Sequence, residues 1–348
     1  MKFYKLIIFI LIVFFKTETI FSENNLFNVN NIQLEKKDKI SQNILADQAI
    51  KSGFNQLVEK ILLKDDINKL SNLSFISIKK LVSYYQITEI PDEGKIKNLV
   101  NFSVTFDKDK MHNLFYEKGI SYSIISDKEL YILPLLIKNE DIFIFNNNFF
   151  YEKWNEIYNN DLIEFVIPLE NIEIIQNINS FKNNLIDLDL KNLFREYSDK
   201  NLALVLIEDN NNYSEKIYIK TIIQGKNISR NLNFEKKNLN SNDYYEQVLV
   251  EIKKELINLI KSKNLIDIRT PSFLNVKLDI NKLSSLVDLD LIVKNIDLIE
   301  NIYVQEFNKD YMSLRIKYLG KLDKIINQLK LQNIHLKLIN DQWIIKSL

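Results

Sequence analysis

LALVLIEDNNNYSEKIYIKTIIQGKNISRNLNF, residues Leu202–Phe234, reads as three consecutive strands. Leu202–Ile207 is a continuous apolar run. Ile217, Ile219 and Thr221 then alternate with Lys220 before Ile222 and Ile223 run on. Asn210–Asn212 and Gly225–Asn227 carry the residue types that turns require, so the runs should pair as an antiparallel meander. Amphipathic patterns precede and follow it, which places the meander at the centre of a mixed sheet. The fold class expected is therefore α+β, a multi-module mixed-sheet protein.

Outward from that centre, Leu188–Tyr197 is patterned as a helix. Asp243 and Glu246 have the spacing of a capping box before a long helix. Its apolar face is Tyr245, Val248, Leu249, Ile252, Leu256, Leu259 and Ile260. Upstream, Leu130–Leu136 and Leu162–Leu169 are apolar runs carrying Pro134 and Pro168, as YILPLL and FVIPLE. Proline is tolerated where a strand does not need its N–H. Trp154 sits in a helix over Tyr151–Tyr158.

Nearer the amino terminus, Asn28–Leu34 reads as a strand. Ala46, Ile50, Phe54, Leu57, Val58, Ile61 and Leu62 share a helix face, with Gly53 beside it for close packing. Ile76–Tyr85 is read as a shorter helix. Leu99–Phe106 is a strand, Asp109–Lys118 a helix, and Gly119 its left-handed stop. Beyond Asn264–Pro271 the pattern becomes β-α-β-β-α-β, the plan of a ferredoxin-like module with strand order 4-1-3-2. Its second strand, Asn301–Glu306, would lie at an edge. Ile302 and Val304 would face the core, and Tyr303 and Gln305 would face outward as a partner-binding edge flanked by Glu300 and Glu306. The final strand, Trp343–Ile345, would cover Ile334–Leu338 from outside.

The first residues carry the pattern of an export signal. Lys2 and Lys5 precede ten unbroken apolar residues, Leu6–Phe15, too short to span a bilayer. Ser22 fits the last position before cleavage. Removing residues 1–22 leaves a formal charge of −2. The expected organisation is 1–22 signal, 23–129 amino-terminal α/β module, 130–264 central α/β module and 272–348 ferredoxin-like module. The expected place is the periplasm, with no stable membrane span after processing. The alternative is an inner-membrane anchor made by an uncleaved signal.

Composition narrows the chemistry. Forty-six basic residues balance 46 acidic ones, so no net field favours nucleic acid, and none is expected as a partner. The chain has no Cys, which removes disulfides, thiolate metal sites and a Cys nucleophile. His112 and His335 are the two histidines, far apart in sequence, and surface or capping roles are expected for both. A Ser-His-Asp triad would need one of them, and neither G-x-S-x-G nor a glycine-rich phosphate loop occurs. Acidic pairs at Asp65/Asp66, Asp107/Asp109, Asp187/Asp189 and Asp288/Asp290, and the run Glu208–Asn212, read as caps and turns. Phe149–Tyr151 open a helix and Tyr84, Tyr85, Tyr244 and Tyr245 are placed at helix ends; core and helix-end packing is expected for them, with a partly exposed interaction surface at Phe149–Tyr151 as the alternative. No catalytic, metal or cofactor site is assigned and no cofactor is expected.

ADQAIKSGFNQLVEKIL (Ala46–Leu62), NFSVTFDKDKMHNLF (Asn101–Phe115), LYILPLL (Leu130–Leu136) and FVIPLEN (Phe165–Asn171) together resemble bacterial envelope proteins of the family "domain of unknown function 2066". Phe106-Asp107 before a helix looks like that family's FD turn. The Trp and Arg usual there before the next strand are missing from Ser121–Glu129. Residues 130–263 are similar to the α/β domain at the TolB amino terminus and in curli-type secretion proteins. The resemblance implies a periplasmic, non-enzymatic binding or scaffold protein with envelope proteins as partners. A carboxylate-dependent hydrolase acting on an envelope substrate is the alternative, and would need two acidic side chains facing each other in a cleft.

Overall fold

The computed structural model describes residues 26–35, 41–89, 99–125, 127–158, 162–209, 214–235, 241–279, 289, 292–293 and 296–347. The signal-like segment 1–22, the turn at 210–213 and the pair Asp288/Asp290 lie outside these. The protein is α+β with mixed sheets, divided into two compact units: Ser123–Leu265, and a second made of the chain on either side of it. The segments read as amino-terminal and carboxy-terminal modules thus belong to one unit.

In that unit, β1 (Asn28–Glu35), β2 (Val82–Glu89) and β3 (Leu99–Phe106) form an antiparallel sheet in the order β1-β3-β2. Helix α1 (Gln42–Ile61) buries Leu45, Ala46, Ala49, Ile50, Phe54, Leu57, Val58 and Ile61. At Gly53 a Cβ would stand 3.0 Å from Ile32 Cδ1 and 3.5 Å from Val104 Cβ, so glycine permits the close approach of α1 to the sheet. Short helices α2 (Lys64–Asn68) and α3 (Phe75–Lys80) follow.

The helix expected over Ile76–Tyr85 stops at Lys80, and Val82–Glu89 is the strand β2. Its β-branched and aromatic residues suit an extended chain, and pairing with β3 decides the matter. Tyr84 and Tyr85 therefore lie exposed on an edge strand rather than at a helix end. Helix α4 (Lys108–Lys118) begins at Asp107, whose side chain accepts from Lys110 N, and stops at Gly119 with φ 60°. Strand β4 is Tyr122–Ser123.

The other unit is built on β5 (Glu129–Lys138), β6 (Asp141–Phe143), β7 (Glu164–Val166), β8 (Asn201–Asp209), β9 (Ser214–Ile223) and β10 (Lys226–Glu235). The order is β10-β9-β8-β5-β6, with β7 parallel to the start of β5. The expected meander β8–β10 is antiparallel throughout, and β8 runs parallel to β5. The second hairpin closes through Gln224 and Gly225, both at positive φ, the two-residue turn that matches strand twist. It sits one residue earlier than the sequence suggests.

Alternate residues of β8 point to opposite cores. Ala203, Val205 and Ile207 meet α8 (Ser241–Lys263); Leu202, Leu204 and Leu206 meet α6 (Ile172–Ser180) and α7 (Leu190–Leu193). With helices on both faces, β8 must be apolar throughout, which is why it reads as an unbroken run. Helix α8 starts at Ser241, so Asp243 lies in its first turn instead of capping it. The helix read over Leu188–Tyr197 is α7 followed by a 3-10 turn at Arg195–Tyr197.

Helix α5 (Phe149–Lys153) completes this unit. Its cap, Asn148, is fully buried. The side-chain amide donates to Pro134 O (2.9 Å), Phe143 O (3.0 Å) and Ile144 O (2.9 Å), while Oδ1 accepts from Phe150 N and Tyr151 N. Pro134 falls between the stretches of β5 that pair with β7 and β6, where the ladder asks for no donor. Phe150 is buried, and Phe149 and Tyr151 pack against the two cores, so this cluster is interior rather than an aromatic surface.

After β11 (Leu265–Ile266), the chain forms β12 (Ser272–Asp279), β13 (Ile299–Phe307), β14 (Tyr311–Tyr318), α9 (Leu322–Leu331), β15 (Ile334–Ile339) and β16 (Gln342–Ser347). The helix expected between β12 and β13 falls mostly outside the described residues; Leu289, Ile292 and Val293 are helical. The order is β13-β14-β12-β16-β15. This corrects the expected order: β16, not β15, lies against β12, in parallel, and β15 is outermost. Both strands bring a residue into the core, Ile345 of β16 at 4% exposure and Ile334 of β15 at 5%, so the order is set by the pairing of β16 with β12 and not by composition.

Candidate partner-binding edge

Among the described residues β13 pairs with β14 alone and ends the sheet, the edge position the sequence implies. Two register shifts interrupt the pairing. One lies between Ile299 and Asn301, the other between Val304 and Glu306, which makes Gln305 an extra residue. Tyr303 is 45% exposed and Gln305 is exposed, as expected of an outward edge. Val304 was expected in the core but is 56% exposed, and Phe307 is 61% exposed. Val304 stands opposite the buried Leu314 on the core-facing side, yet at the free edge it has a neighbouring strand on one flank only. Among the described residues the edge therefore offers unpaired backbone and apolar side chains together.

Next to Tyr303 across the ladder is Arg315, whose guanidinium lies 4.1 Å from the centre of the exposed Phe273 ring. Lys277 Nζ lies 4.5 Å from the Tyr311 ring. Lys317 bonds Glu300 at 2.7 Å, and Tyr311 Oη donates to Glu306 at 3.1 Å. The two flanking carboxylates are thus engaged by neighbours on the same sheet.

Behind the edge lies a buried polar cluster that the sequence does not announce. His112 is 8% exposed, stacked on Tyr122 with Nε2 3.1 Å from its hydroxyl, and Phe27 meets both rings edge-on. This corrects the surface role expected for it. Its Nδ1 lies 3.9 Å from Glu300. Burial, reinforced by Lys108, pushes its pKa down to about 4, so the ring is neutral at pH 7. Lys108 donates to Ile299 O at 2.9 Å, and Leu26 N donates to Asp297. Burial lowers the Lys108 pKa and raises that of Asp297. The helical spacing of Met111, His112 and Phe115 was the available signal, since all three are buried on one face of α4. The cluster ties both ends of the unit to the start of β13. Its contacts hold the start of β13 in place.

The remaining sequence candidates are dispersed. Asp107 and Asp189 cap α4 and α7, and Asp66 pairs with Lys69. Asp209 is buried, accepts from Tyr245 Oη at 2.5 Å and lies 3.5 Å from Lys138. Among the described residues, no group of three or more His, Asp or Glu side chains could hold a metal ion. His335 is half-buried on the outermost strand β15. Lys253, also unforeseen, is fully buried under Trp154 and Phe165. It donates to Trp154 O, Ile157 O and Tyr158 O, satisfying carbonyls after α5, and burial pushes its pKa down to about 8.

No protein family matches the chain, and no curated protein does. A solved structure described as an uncharacterized protein aligns with 41% of this chain and 95% of its own, at 12% identity and a TM-score of 0.17. At that score the likeness supports no conclusion about fold or function.

Proposed function

We propose that this is an exported, non-enzymatic binding or scaffold protein of the bacterial envelope, engaging protein partners by strand addition at β13. The observation that carries the reading is an edge strand with one side unpaired and Tyr303, Val304 and Phe307 exposed along it. Exposed apolar edges pair readily, and proteins that do not use them usually bury or block them. The envelope setting rests on Lys2, Lys5 and Leu6–Phe15, and on the resemblance of Ala46–Leu62 and Asn101–Phe115 to envelope proteins. Among the described residues, no helix is long and apolar enough to cross a membrane.

Two measurements test this. Cell fractionation with intact mass should find a periplasmic chain shortened near Ser22; a full-length cytoplasmic chain refutes export. Crosslinked capture should recover partners from the native protein. Those partners should be lost with Tyr303→Pro or Gln305→Pro, where one donor leaves the edge strand. Undiminished capture by both variants, still folded, refutes the edge.

A further inference from the structure

The two faces of the sheet that ends in β13 differ in chemistry, and that difference specifies what an added strand must carry. On the core side, Ile302 and Val304 lie in line with Ile316, Leu314, Leu274 and Val276. On the other side, Tyr303 lies in line with Arg315 and Asn275, and Asn301 with Lys317 and Phe273. Lys277 and Lys337 share that outer face through Ile344. Among the side chains described on this face, Lys277, Arg315, Lys317 and Lys337 face Glu300 and Glu306, and both of these carboxylates are engaged, Glu300 by Lys317 and Glu306 by the Tyr311 hydroxyl. Arg315 has no carboxylate partner among the described residues and is exposed, held over Phe273 with its N–H edge free.

Resting on the strand-addition reading above, we propose that the partner is an extended peptide segment that alternates apolar and acidic residues. A strand added beside β13 sends successive side chains to opposite faces. One set would cover Val304 and Phe307. The other would emerge next to Tyr303, about 10 Å from the β14 backbone, a gap that a glutamate and a lysine or arginine span together. Lys317 already leans toward β13, as its bond to Glu300 shows. Charge complementarity thus selects acidic residues for the outer positions, although the chain as a whole is neutral.

The test uses the full chain and synthetic peptides of nine residues, the length of β13. One alternates valine with glutamate and one valine with lysine, with binding read by fluorescence anisotropy. The glutamate peptide should bind at least about tenfold more tightly, the sum of two or three partly exposed ion pairs. Arg315→Glu should remove that preference. N-methylating the peptide at all valines, or at all glutamates, should abolish binding in one of the two cases, because alternate N–H groups face opposite edges. Equal or tighter binding of the lysine peptide overturns the acidic assignment while leaving strand addition standing. Glutamate-peptide binding that survives both methylations overturns strand addition itself. A single-stranded oligonucleotide that outcompetes the glutamate peptide overturns the peptide class, as does failure of both peptides to bind; in that last case the proline variants decide the edge independently.

Discussion

Replacing Asn148 by alanine should destabilise the unit Ser123–Leu265 by about 4 kcal/mol. The amide has two hydrogens for three carbonyls, the buried one of Pro134 and the partly buried ones of Phe143 and Ile144. Losing it leaves oxygens without a donor, at about 1–3 kcal/mol for each fully unsatisfied group. Losing Oδ1 uncaps Phe150 N and Tyr151 N, which adds about 1 kcal/mol. Asn148→Asp separates the two contributions. It keeps the cap but points a carboxylate at three carbonyl oxygens, so at pH 7 it should be at least as damaging as alanine. Burial against three carbonyl oxygens outweighs the two cap donors and raises that carboxyl's pKa in the folded state above its unfolded value, so the penalty is full above the folded pKa and relieved as pH falls below it. Urea unfolding followed by Trp154 fluorescence in a Trp343→Phe background measures this, with an expected midpoint shift of about 2 M. An aspartate variant within about 1 kcal/mol of the native protein at pH 7 would show that the residue acts only as a helix cap.

His112→Phe should flatten the acid limb of the other unit's stability. The folded pKa of about 4 lies below the unfolded value of 6.5, so the unfolded chain binds more protons between these pH values. Stability contributed by the neutral ring is complete above pH 6.5 and falls by up to about 3 kcal/mol toward pH 4, which Trp343 fluorescence at stepped pH would follow. Gly53→Ala should change stability by less than about 1 kcal/mol, because its Cβ is tight only against the terminal Cδ1 of Ile32, meets Val104 at ordinary contact distance, and alanine favours the helix. Gly53→Leu should cost about 1–3 kcal/mol by pushing against Val104, read by the same denaturation. Melts with and without chelator should coincide, since among the described residues no cluster of three metal-binding side chains occurs.

Local periodicity made much of this protein legible. The unbroken run of β8, the alternation in β9 and β14, the apolar stripe of α1 and the left-handed Gly119 all express rules that act within a few residues. The outward edge at Tyr303 was legible for the same reason, given a strand order taken from a plan. Val82–Glu89 was not: its residues suit a short helix end or a strand, and only the neighbouring β3 selects the strand. Nor could the alternating pattern of β15 and β16 say which lies against β12, because period two assigns a side chain to a face and says nothing of the strand beside it. His112 shows the same limit. A histidine on a helix is ambiguous until Phe27, Tyr122 and Glu300, distant in sequence, close around it. Sequence by itself determined most of the elements and their faces, Val82–Glu89 excepted, because those depend on backbone geometry and short-range contacts. Strand neighbours, the exposure of Val304 and the burial of His112 and Lys253 were decided by tertiary structure, because each depends on groups brought together across long stretches of chain.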